Sequence, residues 1–320
     1  MKQILTSTLP VMIFAGSLLL IYTLHLRLWT KWIYRKIRKK DTGNLLTSRG
    51  ACCLHIVGGI GIICMLYGFL IEPYWLQVNI IPIYTDKLDH TIFRVVQVSD
   101  IHCDKNIRLE TRLPDIINDL DPDIIVFTGD SINCDSALPL FQDTLSKLNA
   151  PLGKFAVTGN WDYAFWSDLD LFVNTGFEEL RMDQKMLEKG DESIVIAGVA
   201  YEDAENSQKV IGHLDTENFN LLLYHNSVLM DYFGDKNVDL YLCGHTHGGQ
   251  IALPFYGAMT TLSRHGKKFE AGLYKERRVQ LYVNRGVGLE GGLSPKARFL
   301  ARPEIAVFDI GPESKRETKE

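Results

Sequence analysis

From Ile4 to Leu24 the chain carries no charged side chain. An apolar stretch of that length can satisfy its backbone in hydrocarbon only as a helix. A second uncharged run, Ala51 to Ile71, follows it. Between them lie Arg27, Lys31, Arg35, Lys36, Arg38, Lys39, Lys40 and Arg49, with Trp29, Trp32 and Tyr34 interleaved, the side chains of an interface anchor facing anionic lipid. The chain therefore divides into a membrane anchor over 1–72, with one or two transmembrane segments and a basic loop at 25–50, a body over 73–310, and a charged, frayed tail at 311–320. A cleaved leader is the alternative for the first run, but Lys2 alone makes a poor basic start and no small-residue cleavage site precedes Arg27. His55 and the glycines at 58, 59, 61 and 68 leave the second run open to a re-entrant or interfacial course.

The basic loop should be cytoplasmic. If both runs span, the body lies outside the cytoplasm; if only the first spans, it lies inside. Cys103, Cys134 and Cys243 bear on this, because an oxidising compartment would put isolated thiols at risk. They favour a cytoplasmic body, unless they are simply small buried hydrophobes. Charge excludes another class. Of 34 Lys and Arg, nine fall in residues 1–72 against two acids, leaving 25 basic and 37 acidic residues, a net charge of -12, over 73–320. An acidic body does not suit a nucleic-acid partner.

Within the body, Leu76–Tyr84, Phe93–Val98, Ile124–Thr128, Phe155–Thr158, Ile194–Val199, Leu221–Tyr224 and Leu240–Cys243 are short apolar runs rich in β-branched residues, each ending in polar residues or glycine. Runs this apolar suit strands buried on both faces. Helix-length amphipathic segments at about 107–120, 136–148 and 165–175 separate the early ones. The expected fold class is α/β, a double-sheet sandwich covered by helices, with N-terminal membrane helices.

Residues able to bind metal sit just past these strands: Asp100 and His102, Asp130, Asn160, His225, then His245 and His247 within Gly-His-Thr-His-Gly-Gly-Gln at 244–250. Side chains from separate strand ends can converge in one crevice. Taken singly, Asp100 is an ordinary helix cap, Asn160 a turn residue and His225 a core histidine. Five stretches in order at strand ends point instead to two metals that clamp a phosphate and ionise a water.

Val-Ser-Asp-Ile-His (98–102), Thr-Gly-Asp (128–130), Thr-Gly-Asn (158–160), Leu-Leu-Leu-Tyr-His (221–225) and Gly-His-Thr-His-Gly-Gly-Gln resemble the calcineurin-like metallophosphoesterases over roughly residues 76–310. The resemblance implies an αββα double-sheet sandwich. It implies that Asp100, His102 and His247 hold one divalent metal, that Asn160, His225 and His245 hold the other, and that Asp130 bridges them. It further implies a metal-bound hydroxide as nucleophile and manganese as the metal; the mixed O/N donor set also tolerates iron or zinc. Tyr282–Gly288 with Arg302–Ile305 resembles the membrane-associated bacterial branch, as well as reading as a hairpin and closing strand. That branch implies the inner membrane and a lipid-linked nucleotide substrate, with UDP-2,3-diacylglucosamine cleaved at its pyrophosphate to UMP and 2,3-diacylglucosamine 1-phosphate in lipid A biosynthesis.

Two departures from the family pattern matter. Trp161 stands where the family carries the His that assists the leaving group, and indole only donates hydrogen bonds. A pyrophosphate releases a phosphate whose second pKa is about 6 and needs little protonation, so the substitution favours pyrophosphate over alkyl phosphodiester, or marks an inactive enzyme. Asn133 replaces a common Asp and should affect loop hydrogen bonding more than metal binding. For substrate contacts, Trp161, Arg264, Arg285 and Arg298 are candidates, with Arg302 and His265 near them, since arginine forks suit phosphate oxygens. Phe255–Leu262 with Tyr163, Phe165 and Trp166 would line an acyl groove or belong to the core. The competing readings are an extracytoplasmic phosphodiesterase acting on a lipid or wall phosphoester, and a non-catalytic metal-binding membrane sensor.

Overall fold

The structure, a computed structural model, describes residues 2–232, 237–292 and 294–315. The chain divides into two compact units at Ile71. The first holds two helices, α1 (Lys2–Ile37) and α2 (Arg49–Leu70). No Gly or Pro interrupts residues 17–37, so the first apolar run continues as helix well beyond Leu24. The expected loop at 25–50 shrinks to residues 38–48, and Arg27, Lys31, Arg35 and Lys36 lie on α1. At about 1.5 Å per residue α1 is about 54 Å long, more than a hydrocarbon core of about 30 Å requires. The excess carries the cations, and Lys36 Nζ lies 4.6 Å over the Trp32 ring. Ser48 caps α2, its Oγ accepting from Ala51 N at 3.3 Å. The helices meet where α2 offers only hydrogen: a Cβ on Gly58 would lie 2.5 Å from the His25 ring, and one on Gly61 2.5 Å from Tyr22 Oη. His25 Nε2 lies 3.0 Å from His55 Nδ1 there.

The second unit is a sandwich of two six-stranded sheets. One runs in the order β1 (Gln77–Thr85), β14 (Glu304–Pro312), β2 (Phe93–Val98), β3 (Ile124–Phe127), β4 (Gly153–Ala156) and β5 (Glu178–Glu179). In the other, β12 (Gly272–Glu276) is followed by β13 (Val279–Val283), β9 (Leu240–Cys243), β8 (Phe219–Leu223), β7 (Glu192–Gly198) and β6 (Asp183–Lys189). β2, β3 and β4 pair in parallel, as do β7, β8, β9 and β13. Between the sheets lie Phe93, Val126, Phe155, Phe219, Leu221, Leu242 and Phe308, all buried. Each such side chain removed from water contributes about 1.5–3 kcal/mol. Outside the first sheet, α3 (Leu113–Asn118) and α4 (Leu138–Ser146) cover a second apolar layer containing Phe127 and Phe141. Outside the other, α6 (Gln208–Ile211) covers a third with Tyr224 and Tyr241.

Two expectations need correction. The helix expected over 165–175 is absent: residues 166–175 are turns and bends, and the short helix in that region is α5 (Asn160–Phe165), which starts at a candidate ligand. Gly311 and Pro312 belong to β14, where they pair with Tyr84 and Thr85; of the expected frayed tail, residues 316–320 lie outside the described residues. Glu72, fully buried, opens the unit, and its carboxylate accepts from Leu300 N at 2.9 Å and from Ala301 N.

Candidate metal centre

Strands β2, β3, β8 and β9 end two or three residues before Asp100, Asp130, His225 and His245, and Asn160 opens α5 after β4. The five positions thus come to one edge of the sandwich. The backbone there is under strain: Asp100, His102, Asp130, His245 and His247 all have φ between 44 and 72°. Non-glycine residues held in this region cost on the order of 1–3 kcal/mol each, and such strain collects at functional sites. Long-range hydrogen bonds hold it. Asp100 N donates to Gly129 O (2.9 Å), His102 N to Asp130 O (3.1 Å) and Gly244 N to His225 O (2.8 Å), while His245 N donates to the Asp100 carboxylate at 3.0 and 3.1 Å. Gly286, at φ 67°, lies against this turn so closely that a Cβ would stand 2.5 Å from Asp100 Cβ.

Two groups of donors result: Asp100, His102 and His247, then Asp130, His225 and His245, each with its ligand atoms within 4.8 Å of one another. Asp130 Oδ2 stands between them, 3.5 Å from His102 Nε2 and 3.2 Å from His225 Nε2. Asn160 Oδ1 lies 2.9 Å from His225 Nε2, which adds it to the second group. The residues fit metal binding on an independent ground. His102 Nε2 is buried without a hydrogen-bond partner, although its Nδ1 pairs with Asn133 Oδ1 at 3.0 Å, and a buried polar atom left unmet is costly. His225 is likewise oriented through its Nδ1, which donates to Thr128 O at 2.7 Å, the arrangement usual for metal-bound imidazoles.

The buried donors act strongly on one another. Against the penalty of burial, His225 and His102 hold the Asp130 carboxyl well below the usual carboxylate range. Asp130 in turn outweighs burial at His225 and pushes it up to about 9. Burial, with His225 nearby, pushes His245 down to about 4, and burial with His102 and Arg298 holds His247 well below its ordinary value. Burial thus favours at these two imidazoles the neutral form a ligand must take, whereas at His225 and His102 the Asp130 and Asp100 charges outweigh burial and favour the protonated form. His245 and Asn160 are half-buried while the other five residues are buried, so the centre opens on their side.

Trp161 follows Asn160 on α5. Its amide donates to Asp130 Oδ1 at 2.8 Å and its ring stands edge-on to His102 at 5.6 Å. Asn133, besides meeting His102 Nδ1, donates from Nδ2 to His102 O and Leu289 O, a loop role rather than a ligand role. Of the arginines, Arg264 is exposed, on the loop whose Leu262 carbonyl is 3.4 Å from His245 Nε2. Arg298 does not reach the opening, contrary to expectation: it is fully buried and donates to the carbonyls of Arg285, Gly286, Gly288 and Ala301, with Nη2 3.2 Å from His247 Nδ1. Arg285 is also engaged elsewhere, by buried Glu304 and by Gln77 Oε1. Both shape the 285–288 loop under the ligands. Arg302 stacks over Trp75, and His265 bridges Ser227 Oγ (2.8 Å) and Asp231 Oδ1 (3.1 Å).

Sequence reading missed Asp162. Fully within the protein, its carboxylate accepts from Asp130 N (2.8 Å), Ser131 N (2.9 Å) and Gly159 N (2.9 Å), tying the β3 and β4 turns together. The available signal was an acid at the third position of a helix beginning at Asn160.

Comparison with known proteins agrees with this geometry. The description "Calcineurin-like phosphoesterase" matches residues 93–249, from the start of β2 through the Gly-His-Thr-His turn. An uncharacterized metallophosphoesterase of Bacillus subtilis, YkuE, is 34% identical over 292 residues, covering 85% of this chain and 97% of its own length. The UDP-2,3-diacylglucosamine pyrophosphatase LpxG of Chlamydia muridarum is 26% identical, covering 67% of this chain and 82% of that protein. The phosphodiesterase YaeI of Escherichia coli is 26% identical, with 75% and 90% covered. The chain belongs to the calcineurin-like metallophosphoesterases, a family of phosphoester hydrolases that use divalent metals.

Proposed function

We propose that this chain is a membrane-anchored, two-metal hydrolase that cleaves the pyrophosphate bond of a lipid-linked nucleotide, with UDP-2,3-diacylglucosamine as substrate and UMP and 2,3-diacylglucosamine 1-phosphate as products. Asp100, His102 and His247 would hold one cation, Asn160, His225 and His245 the other, and Asp130 both. When bound, the two cations, manganese in this reading, supply an ionised water and offset charge developing on the phosphoryl oxygens. His225 and His102 are aimed by Thr128 O and Asn133, Trp161, edge-on to His102, would offer no acid, and Arg264, exposed near Asp231 on the loop that reaches His245, would meet phosphate. The observation that carries the substrate class is Trp161 directly after Asn160, where the resemblance puts a leaving-group acid, since a departing phosphate needs little protonation.

The expected membrane is the bacterial inner membrane. In one respect a second reading has support of its own: α2 is a full helix of 22 residues with high apolarity, so both helices are long enough to span. With the cations at the end of α1 inside, the catalytic unit would then stand outside, as an extracytoplasmic phosphodiesterase. Two of the three thiols do not oppose this, because Cys103 and Cys243 are buried and burial pushes both well above their ordinary pKa, while Cys134 is half-buried.

The test is product analysis of the purified full chain with manganese and UDP-2,3-diacylglucosamine. Formation of UMP, abolished in Asp130→Ala and His247→Ala, is expected. Absence of UMP, with hydrolysis of a simple phosphodiester retained, refutes the pyrophosphate reading and favours the second.

A further inference from the structure

The catalytic unit carries an apolar surface that neither its core nor the metal centre uses. Five residues past His247 the chain forms a hairpin of β10 (Ala252–Leu253) and β11 (Gly257–Ala258). It is packed on the ligand turn itself, since a Cβ on Gly249 would lie 2.5 Å from Ala258 Cβ. At its tip Phe255 is fully exposed, at 111%, with φ 64°, a conformation unfavourable for a bulky side chain. Lys267 braces the tip: Nζ donates to Tyr256 O (2.8 Å) and Ala258 O (2.9 Å) and sits 4.1 Å over the Tyr256 ring. The chain then returns to the centre, where Leu262, 63% exposed, places its carbonyl by His245. Exposed Arg264 and Lys268 flank this stretch.

The other side of the hairpin leads to the start of the unit. Ala252 N donates to Phe299 O at 2.8 Å, Phe299 N donates to Gln250 O, and the next residue, exposed Leu300, donates to Glu72. Glu72 follows Leu70, the last residue of α2, by two positions, a reach of about 7 Å at most. Exposed Tyr74 and Trp75 come after it, beyond buried Pro73. Chain continuity and hydrogen bonds, some of them through the Glu72 carboxylate and the His245 ring, thus connect the segments that carry exposed Trp75, Leu300, Phe255 and Leu262.

We propose that the β10–β11 hairpin, led by Phe255, seats in the surface of a lipid bilayer. Large exposed apolar patches mark partners or membranes. Chain continuity with α2 and the mixture of aromatic tips with Lys and Arg select the membrane, where such side chains belong. Seated in this way, the opening at His245 would meet an amphiphilic phosphoester at the bilayer, a consequence that rests on the lipid substrate proposed above.

The test uses the full chain in nanodiscs of phosphatidylcholine and phosphatidylglycerol, with p-benzoylphenylalanine replacing Phe255 or, as control, exposed Met186 on β6. Irradiation should give a phospholipid adduct at 255 and none at 186. No lipid adduct at 255, equal adducts at both positions, or a protein adduct at 255 overturns the proposal. In parallel, Phe255→Ser should leave hydrolysis of a water-soluble nitrophenyl phosphodiester unchanged. Hydrolysis of UDP-2,3-diacylglucosamine held in vesicles should fall about tenfold to a hundredfold, the burial of one Phe side chain converted to a ratio. Lipid adducts at 255 from a chain that cleaves only the soluble ester would uphold the seating and refute the lipid substrate.

Discussion

Asp162→Asn is a nearly isosteric change that probes how the metal centre is held. In the native protein Oδ2 accepts from Asp130 N and Gly159 N, and Oδ1 accepts from Ser131 N. An amide can keep the first pair with its oxygen, but its NH2 then faces the Ser131 amide, donor against donor. Losing one hydrogen bond to a charged acceptor costs about 1.5–3 kcal/mol, and leaving that buried amide unmet costs about 1–3 more. Part of this is returned, because burial and the neighbouring Asp130 charge both disfavour the Asp162 carboxylate and raise its pKa. A net loss of about 2 kcal/mol follows, which for a unit of this size lowers the melting temperature by about 4–8 °C. Manganese affinity should fall by about 10–100-fold, as when other supports of metal ligands are removed. Calorimetric titration with manganese and thermal melting of the detergent-solubilised chain measure both. A melting point within about 2 °C of wild type, with unchanged manganese affinity, would refute the role given to this carboxylate.

Gly286→Ala should abolish manganese binding and destabilise by more than about 2 kcal/mol; Gly190→Ala, at a similar φ of 69° but with nothing within 4 Å, should cost only about 1 kcal/mol. Paired chemical denaturation curves read the difference, and equal losses would mean that the approach to Asp100 is not what demands glycine. Despite partial burial, Thr91 with the amides of Asp89 and His90 holds the Glu192 carboxyl down to about 2. A depressed pKa gives stability that is present above the unfolded value near 4.5 and lost as pH falls toward 2, so wild type should lose roughly 2 kcal/mol relative to Glu192→Gln across that window. Parallel pH dependences would remove the effect. Trp161→His should raise hydrolysis of alkyl phosphodiesters severalfold by supplying an acid, measured by steady-state kinetics; a large gain on phosphodiesters in a protein whose wild type has no pyrophosphatase activity would instead favour the non-catalytic sensor.

The candidate ligands were legible because short buried strands have a distinct composition and their ends a fixed place in a crevice. Phe93–Val98 and Leu240–Cys243 appear in the structure with the boundaries their apolarity suggests. Edge strands β6 and β12 were not legible, because only one face of each is covered and their sequences read as polar. Residues 165–175 carry a helical spacing of apolar side chains, yet 166–175 fold as turns and bends that bury Leu171 and Phe172 against Phe127 and Phe141. The arginines illustrate a different limit. Nothing local to Arg298 says that four carbonyls will surround it, since they come from residues 285–288 and 301, brought there by the closing strand.

The Glu72 carboxylate also decides where this protein can be cut. It meets the amides of Leu300 and Ala301, and two residues earlier in that loop Arg298 lies against His247. A soluble version begun at Gln77 would keep every strand of the sandwich but leave those two amides bare, one of them buried, at a cost of about 1–3 kcal/mol for the buried one. A version begun at or before Glu72 keeps them met. The proper first residue of the enzyme without its helices is therefore set by a contact on the floor of the metal centre, and not by the first strand.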